Sequence, residues 1–148
     1  KIKIMRKNSL IVMLLVATFL FLTSCNKYEE GPSISFRSKT ERLCNIWKPV
    51  KILVNGSETI LSSDQQKTTI EFQKDGDVFI TVYYLGIAVA QTGQWEFYDK
   101  SEKIILTMNT DDTIPSKDTL TILKLMEEEL WLEGKIDRDI LEYHLEPK

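Results

Sequence analysis

The chain has 148 residues, 43% hydrophobic and 28% charged, with 22 acids against 19 cations and a formal net charge of −3. That length supports one domain with a real core, burying most of the surface its unfolded chain exposes. The acid excess, with Lys and Arg scattered rather than clustered, argues against a nucleic-acid-binding domain, whose phosphate contacts need a basic face.

Lys1, Lys3, Arg6 and Lys7 precede Leu10–Leu22, an apolar run of 13 residues broken only by Thr18. A membrane-crossing helix needs roughly 18 to 20 apolar residues, whereas a basic segment followed by a shorter apolar run is the pattern of a secretory signal peptide. Residues 1–24 are therefore read as a cleaved signal peptide rather than as a buried helix. Without them 124 residues remain, with 15 cations against 22 acids and a net charge of −7.

The run ends at Leu22-Thr23-Ser24-Cys25, with cysteine where an Ala-x-Ala cleavage site would otherwise fall. This four-residue box resembles the bacterial lipobox. The resemblance implies that the Cys25 thiol receives diacylglycerol, that a dedicated peptidase cuts before it, and that Cys25 becomes the acylated first residue of an anchored protein. A thiolate is the nucleophile such chemistry needs, and two acyl chains, at about 0.8 kcal/mol per buried methylene, suffice for stable anchoring.

Asn26-Lys27-Tyr28-Glu29-Glu30 follows directly. It is similar to the acidic surface-export signals of Bacteroidetes lipoproteins, which implies display on the outer membrane; read from composition alone it is a solvated tether. Residues 25–39, with Gly31, Pro32 and three serines, make a tether that would reach roughly 45 to 50 Å if extended. With Cys25 acylated, Cys44 is the one thiol left, so no disulfide framework is expected and stability rests on packing.

From Thr40 onward the apolar residues alternate with period two and turn residues recur every 8 to 15 positions, the signature of an all-β domain. Asn45–Gly56 reads as a first strand ending at Asn55-Gly56, with Pro49 marking an edge or a bulge. Ser62–Gln66 reads as a loop or one helical turn, with Ser63 as its cap. In Lys67–Leu85, Ile70 and Phe72 alternate with Glu71 and Gln73, and Asp75-Gly76 supplies the positive φ angles of a tight hairpin turn.

Trp95 with Phe97, and then Ile104, Leu106 and Met108, form the next alternating pair across Asp99–Glu102. Thr119–Leu125 pairs with Leu130–Ile136 across Glu127–Glu129, and Asp137–Asp139 turn into the last strand. Eight strands are expected, near 46–54, 67–73, 78–86, 91–98, 103–110, 118–126, 129–136 and 139–146. Joined by short turns they form an antiparallel up-and-down meander, and closing it into a barrel removes its edges.

Leu43-Cys44-Asn45-Ile46-Trp47, Asp75-Gly76, Gly93-Gln94-Trp95, Ile122-Leu123 and Leu130-Trp131-Leu132 together resemble the small lipocalin-like domains of Bacteroidetes lipoproteins, over residues 40–146. Asn45 stands where a lipocalin Gly-x-Trp carries glycine, and Asn tolerates the same left-handed turn. The resemblance implies a cup for a small apolar or glycan ligand, with Tyr83, Trp95 and Trp131 lining its open end. Read from the residues, Phe79, Tyr83, Tyr84, Trp95, Phe97, Trp131 and Tyr143 bring enough aromatic volume to fill a barrel of this size.

No residue pattern names a reaction. His144, the single histidine, has no partner at metal-ligand spacing and reads as a solvent-facing strand residue. Cys44 and His144 would face each other across the first and last strands, without any further feature of a cysteine hydrolase. The carboxylate pairs Asp111-Asp112 and Asp137 with Asp139, and the run Glu127–Glu129, fall at turns, where acids are solvated or shape the backbone. Asp112-Thr113-Ile114 and Asp118-Thr119-Leu120 resemble the three-residue O-glycosylation motif of exported Bacteroidetes proteins, which implies glycans at Thr113 and Thr119. Asn55-Gly56-Ser57 reads as a hairpin turn rather than an N-glycosylation site.

The expectation is a lipid-anchored, non-catalytic outer-membrane lipoprotein with no cofactor or metal, held to the membrane by its acyl chains, its barrel binding a small apolar or glycan ligand. The alternative is an accessory subunit docking onto a larger outer-membrane protein. Tyr83-Tyr84 and Ile104-Ile105 favour that alternative by placing bulk on both strand faces.

Overall fold

The computed structural model describes residues 36–109 and 115–148. The segment expected to be a signal peptide, the lipobox-like residues with Cys25, most of the expected tether, and Thr113 lie outside them. A short helix α1 (Lys39–Leu43) opens the domain. Its start is set by a capping box, in which the Glu41 amide donates to Ser38 Oγ at 3.2 Å and the Ser38 amide to the Glu41 carboxylate at 2.8 Å. The Ser38 amide, and the Ser38 hydroxyl donating to the same carboxylate oxygen at 3.0 Å, hold the Glu41 carboxyl below its ordinary range.

Nine strands follow: β1 (Ile46–Val54), β2 (Ser57–Thr59), β3 (Thr69–Phe72), β4 (Asp77–Tyr84), β5 (Ile87–Tyr98), β6 (Lys103–Met108), β7 (Ser116–Leu125), β8 (Leu130–Ile136) and β9 (Asp139–Pro147). A second short helix, α2 (Ser63–Lys67), stands between β2 and β3. It too has a capping box, but its cap is Ser62, not Ser63: the Gln65 amide donates to Ser62 Oγ.

Strands β3 to β9 pair antiparallel, each with the next. β9 then returns to β1, from Trp47 opposite Pro147 to Val54 opposite Leu141, and β1 meets β3 at Ile46 and Trp47. The eight expected strands, β1 and β3 to β9, thus close into an antiparallel barrel. The seam between β1 and β3 is only two residue pairs wide. Further along the same edge β1 takes β2 as a short flap, through the Asn55-Gly56 turn at φ 51° and 80°. Pro49, which has no N–H for a ladder, falls in the unpaired stretch between them, and the register against β9 shifts at Val50.

Alternation sorts the side chains. Leu130 and Leu132 of β8, Ile104, Leu106 and Met108 of β6, and Leu145 of β9 are buried on the inner face. One end of the barrel is closed. Trp47, fully buried, donates Nε1 to the Leu43 carbonyl at 2.9 Å, so α1 is latched across that end. Phe72, Trp95 and Phe97 fill the space above it edge to face, with ring centroids 5.8 and 5.2 Å apart. Trp95 Nε1 donates to the Gln73 carbonyl at 2.9 Å, leaving that buried indole satisfied.

The β3–β4 turn differs from expectation. Only Gly76 has positive φ, at 96°, and Asp75 instead accepts from the Asp77 amide through its side chain at 3.2 Å. Like Asn55-Gly56, Leu85-Gly86 is a two-residue turn with both φ positive, at 51° and 79°, joining β4 to a β5 that begins at Ile87. The run Ile87–Ala90 is apolar throughout, so alternation does not announce that half of β5.

Candidate functional site

The open end lies opposite α1, where the β1–β2, β4–β5 and β8–β9 turns gather. Inside it is a cavity of about 320 Å³, walled by Ile70, Ile80, Val82, Leu106, Leu120, Leu132, Ile136, Tyr143 and Leu145. Thr68, Asp118, Thr119, Gly134 and Lys135 complete its lining toward the mouth. The volume is at the small end of the range for small-molecule sites, and the wall is mainly aliphatic with a few polar groups, as such sites are.

Gly134 makes room for it. A Cβ at that position would stand 2.7 Å from Leu120 Cδ2, so the glycine lets Leu120 lie back against β8. Tyr143, half-buried, presents the one aromatic ring in the wall. Burial raises its phenol above the ordinary value, because the phenolate would lose water there. Thr68 donates its hydroxyl to the Asp64 carbonyl at 3.3 Å, which ties α2 to the rim.

The three aromatics expected to line the open end do not line this cavity. Trp95, 8% exposed, belongs to the core at the closed end. Tyr83 alternates with Val82 and so faces outward on β4, where Lys67 Nζ lies 5.8 Å from its ring centroid. Trp131 stands between the buried Leu130 and Leu132 and is likewise turned outward. It stacks on His144 at 4.0 Å with the rings 8° apart, and Lys124 Nζ lies over it at 4.7 Å. With Phe79, Tyr83 and Trp131 outside, the expected aromatic filling falls short, and the interior stays partly empty.

His144 is on the outer face but is not freely solvated. Its side chain is 15% exposed, covered by Trp131, with Nε2 2.6 Å from Glu142 Oε1. It lies in register with Lys51, whereas Cys44 sits at the C-terminal end of α1 before β1 begins, so the two are not brought together. Burial also raises the Cys44 thiol, which lowers its thiolate fraction. Among the described residues no three His, Cys, Asp or Glu side chains are grouped to hold a metal. Thr119 is exposed on β7 at the cavity's border, accessible to modification.

No protein-family model matches the chain, and comparison with curated proteins gives no match either. The site is therefore read from its geometry.

A second feature stands beside the mouth. Beyond the last β5–β6 pair, Gly93 with Met108, and the last β3–β4 pair, Thr69 with Thr81, strands β4 and β5 continue together as a hairpin. Residues Ile87–Gln91 carry it roughly 17 Å past that β6 pair. Its inner face sets Val82 opposite Val89 and Tyr84 opposite Ile87. Tyr84, Leu85 and Ile87 are 71%, 80% and 68% exposed. On its outer side α2 braces it, with the Gly86 amide donating to Asp64 Oδ2 at 3.2 Å.

Sequence reasoning missed the wall residues because they are ordinary aliphatics. Only Gly134 in mid-strand signalled them, since a strand glycine marks a close approach.

Proposed function

We propose that the chain is a lipoprotein anchored in the bacterial outer membrane through an acylated Cys25, displayed at the cell surface, and that its barrel binds a small apolar or glycan ligand without catalysing a reaction. The observation that carries the ligand reading is the aliphatic cavity left open inside one end of a closed barrel. An apolar molecule entering it is removed from water at roughly 25 cal/mol per Å². The lipobox, the acidic residues after it and the standoff of the tether support the anchored reading.

The test is native mass spectrometry of the protein extracted in mild detergent from its own membrane. A reproducible small-molecule adduct, beyond acyl and glycan mass, is expected on the monomer; its absence across preparations would remove the ligand reading. The same spectra read anchoring and modification: an N-terminal mass of triacylated Cys25 is expected, and glycan mass at Thr113 or Thr119 would follow from the two Asp-Thr motifs.

A second reading, an accessory subunit on a larger outer-membrane protein, is favoured by the projecting hairpin. Leu85, a bulky residue, is held at φ 51°, where asparagine or glycine is ordinarily found. Strain together with exposure marks a tip kept for contact rather than for folding. A stable complex with a membrane protein and no adduct would establish this reading in place of the first.

A further inference from the structure

We infer that the cavity selects apolar molecules that carry a protonated amine, with the carboxylate of Asp118 as counter-ion, an inference that rests on the ligand reading above. Asp118 lies opposite Leu106 in register. Leu106 is buried on the inner face, and residues directly opposite share a face, so Asp118 points toward the barrel interior and lines the cavity at its mouth. It is the one acidic residue in that lining.

Its charge is not answered by any cation among the described residues. Among the described residues no cation lies within 4 Å of it; its one hydrogen-bonded contact is the Ser116 hydroxyl, at 3.5 Å. Lys135 borders the cavity but stands opposite Ile140, and both alternate away from the inward series Leu132, Gly134, Ile136. Arg138 lies in the following turn and forms no ion pair with Asp118 either. Of the other carboxylates at this end, Asp139 accepts from Asn55 Nδ2 at 2.8 Å and Asp64 from the Gly86 amide at 3.2 Å. The Tyr143 hydroxyl, further in, has no protein partner among the described residues.

The arrangement is thus an aliphatic wall with an unpaired carboxylate at its exit. An alkyl chain fills the wall, and an ammonium at its end places three donors beside Asp118. A hydrogen bond between opposite charges is about twice as strong as a neutral one. A ligand ending in a carboxylate meets like charge at the same spot and is disfavoured.

The test is calorimetric titration of the full chain with octylamine, octanol and octanoate, below micelle-forming concentrations, at pH 7 and low salt. Octylamine is expected to bind about tenfold more tightly than octanol, with octanoate weakest. Asp118→Asn should abolish the amine's advantage and leave octanol affinity unchanged. Because Asp118 is exposed, the variant should fold; the same question is also answered without it, since the advantage of octylamine over octanol should shrink as salt is raised. Equal affinity for all three, a preference for octanoate, or an amine preference that survives Asp118→Asn would overturn the inference and leave the ligand reading standing. Failure of all three to bind would remove both.

Discussion

Gly134 and Leu120 set the width of the cavity between them. A Cβ at Gly134 meets only the end of the Leu120 side chain, so Gly134→Ala displaces Leu120 into empty space. The gain in backbone entropy from replacing a strand glycine, about 0.5–1 kcal/mol, offsets much of that shift. Gly134→Ala should therefore melt within a few degrees of wild type while lowering octanol affinity several-fold, measured by calorimetry beside a thermal scan. Leu85 is the opposite kind of residue, exposed and in a backbone region that costs an ordinary L-residue about 1–2 kcal/mol. Leu85→Asn should raise stability by about 1 kcal/mol, read from the denaturant midpoint. If the hairpin tip is a docking contact, the same variant should lose the complex. Part of this was legible in the residues: Leu130-Trp131-Leu132 cannot all face inward, so either one indole or two leucines had to be buried.

At the scale of elements, β5 and β6 leave no room for a side chain at Gly93. A Cβ there would stand 2.4 Å from the Thr107 carbonyl oxygen and 2.9 Å from Met108 Cα, both backbone atoms. Nothing flexible can give way, so Gly93→Ala must separate two strands of the barrel wall. A loss of about 1–3 kcal/mol is expected, at the level of overpacked cores, and urea unfolding would measure it. The contrast with Gly134 is instructive, since both are strand glycines and only the neighbour's identity separates a tolerated change from a costly one. The hairpin Val82–Gln91 shows where element reading fails. Its β5 half is apolar without alternation, because it rises past the barrel wall and its partner faces are not those of a half-buried sheet.

The whole molecule couples the cavity to alkaline stability. Burial raises the Tyr143 phenol above its ordinary value of 10.0 in the folded state. The unfolded chain ionises this group near pH 10. Above that pH the native state still holds a proton the unfolded state has lost, so stability falls as pH rises through the raised native value. The melting temperature should decline above about pH 10, and Tyr143→Phe should flatten that decline. An occupied cavity excludes water from the same ring, so bound octanol should steepen it.

By itself, the sequence determined the eight strands of the barrel wall, the Asn55-Gly56 turn and which neighbours oppose each other across a strand, because those depend on local backbone and side-chain chemistry. It marked Pro49 as an irregularity and placed Trp95 among the aromatics that could fill the barrel. Only the tertiary structure decided which face of each strand turns inward. Pairing β9 with β1 joins residues nearly a hundred positions apart, and that closure selects Leu130 and Leu132 over Trp131, and Val82 over Tyr83, as interior groups. Small aliphatics on the inner face leave a cavity where the aromatics would have filled it, and the site exists for that reason.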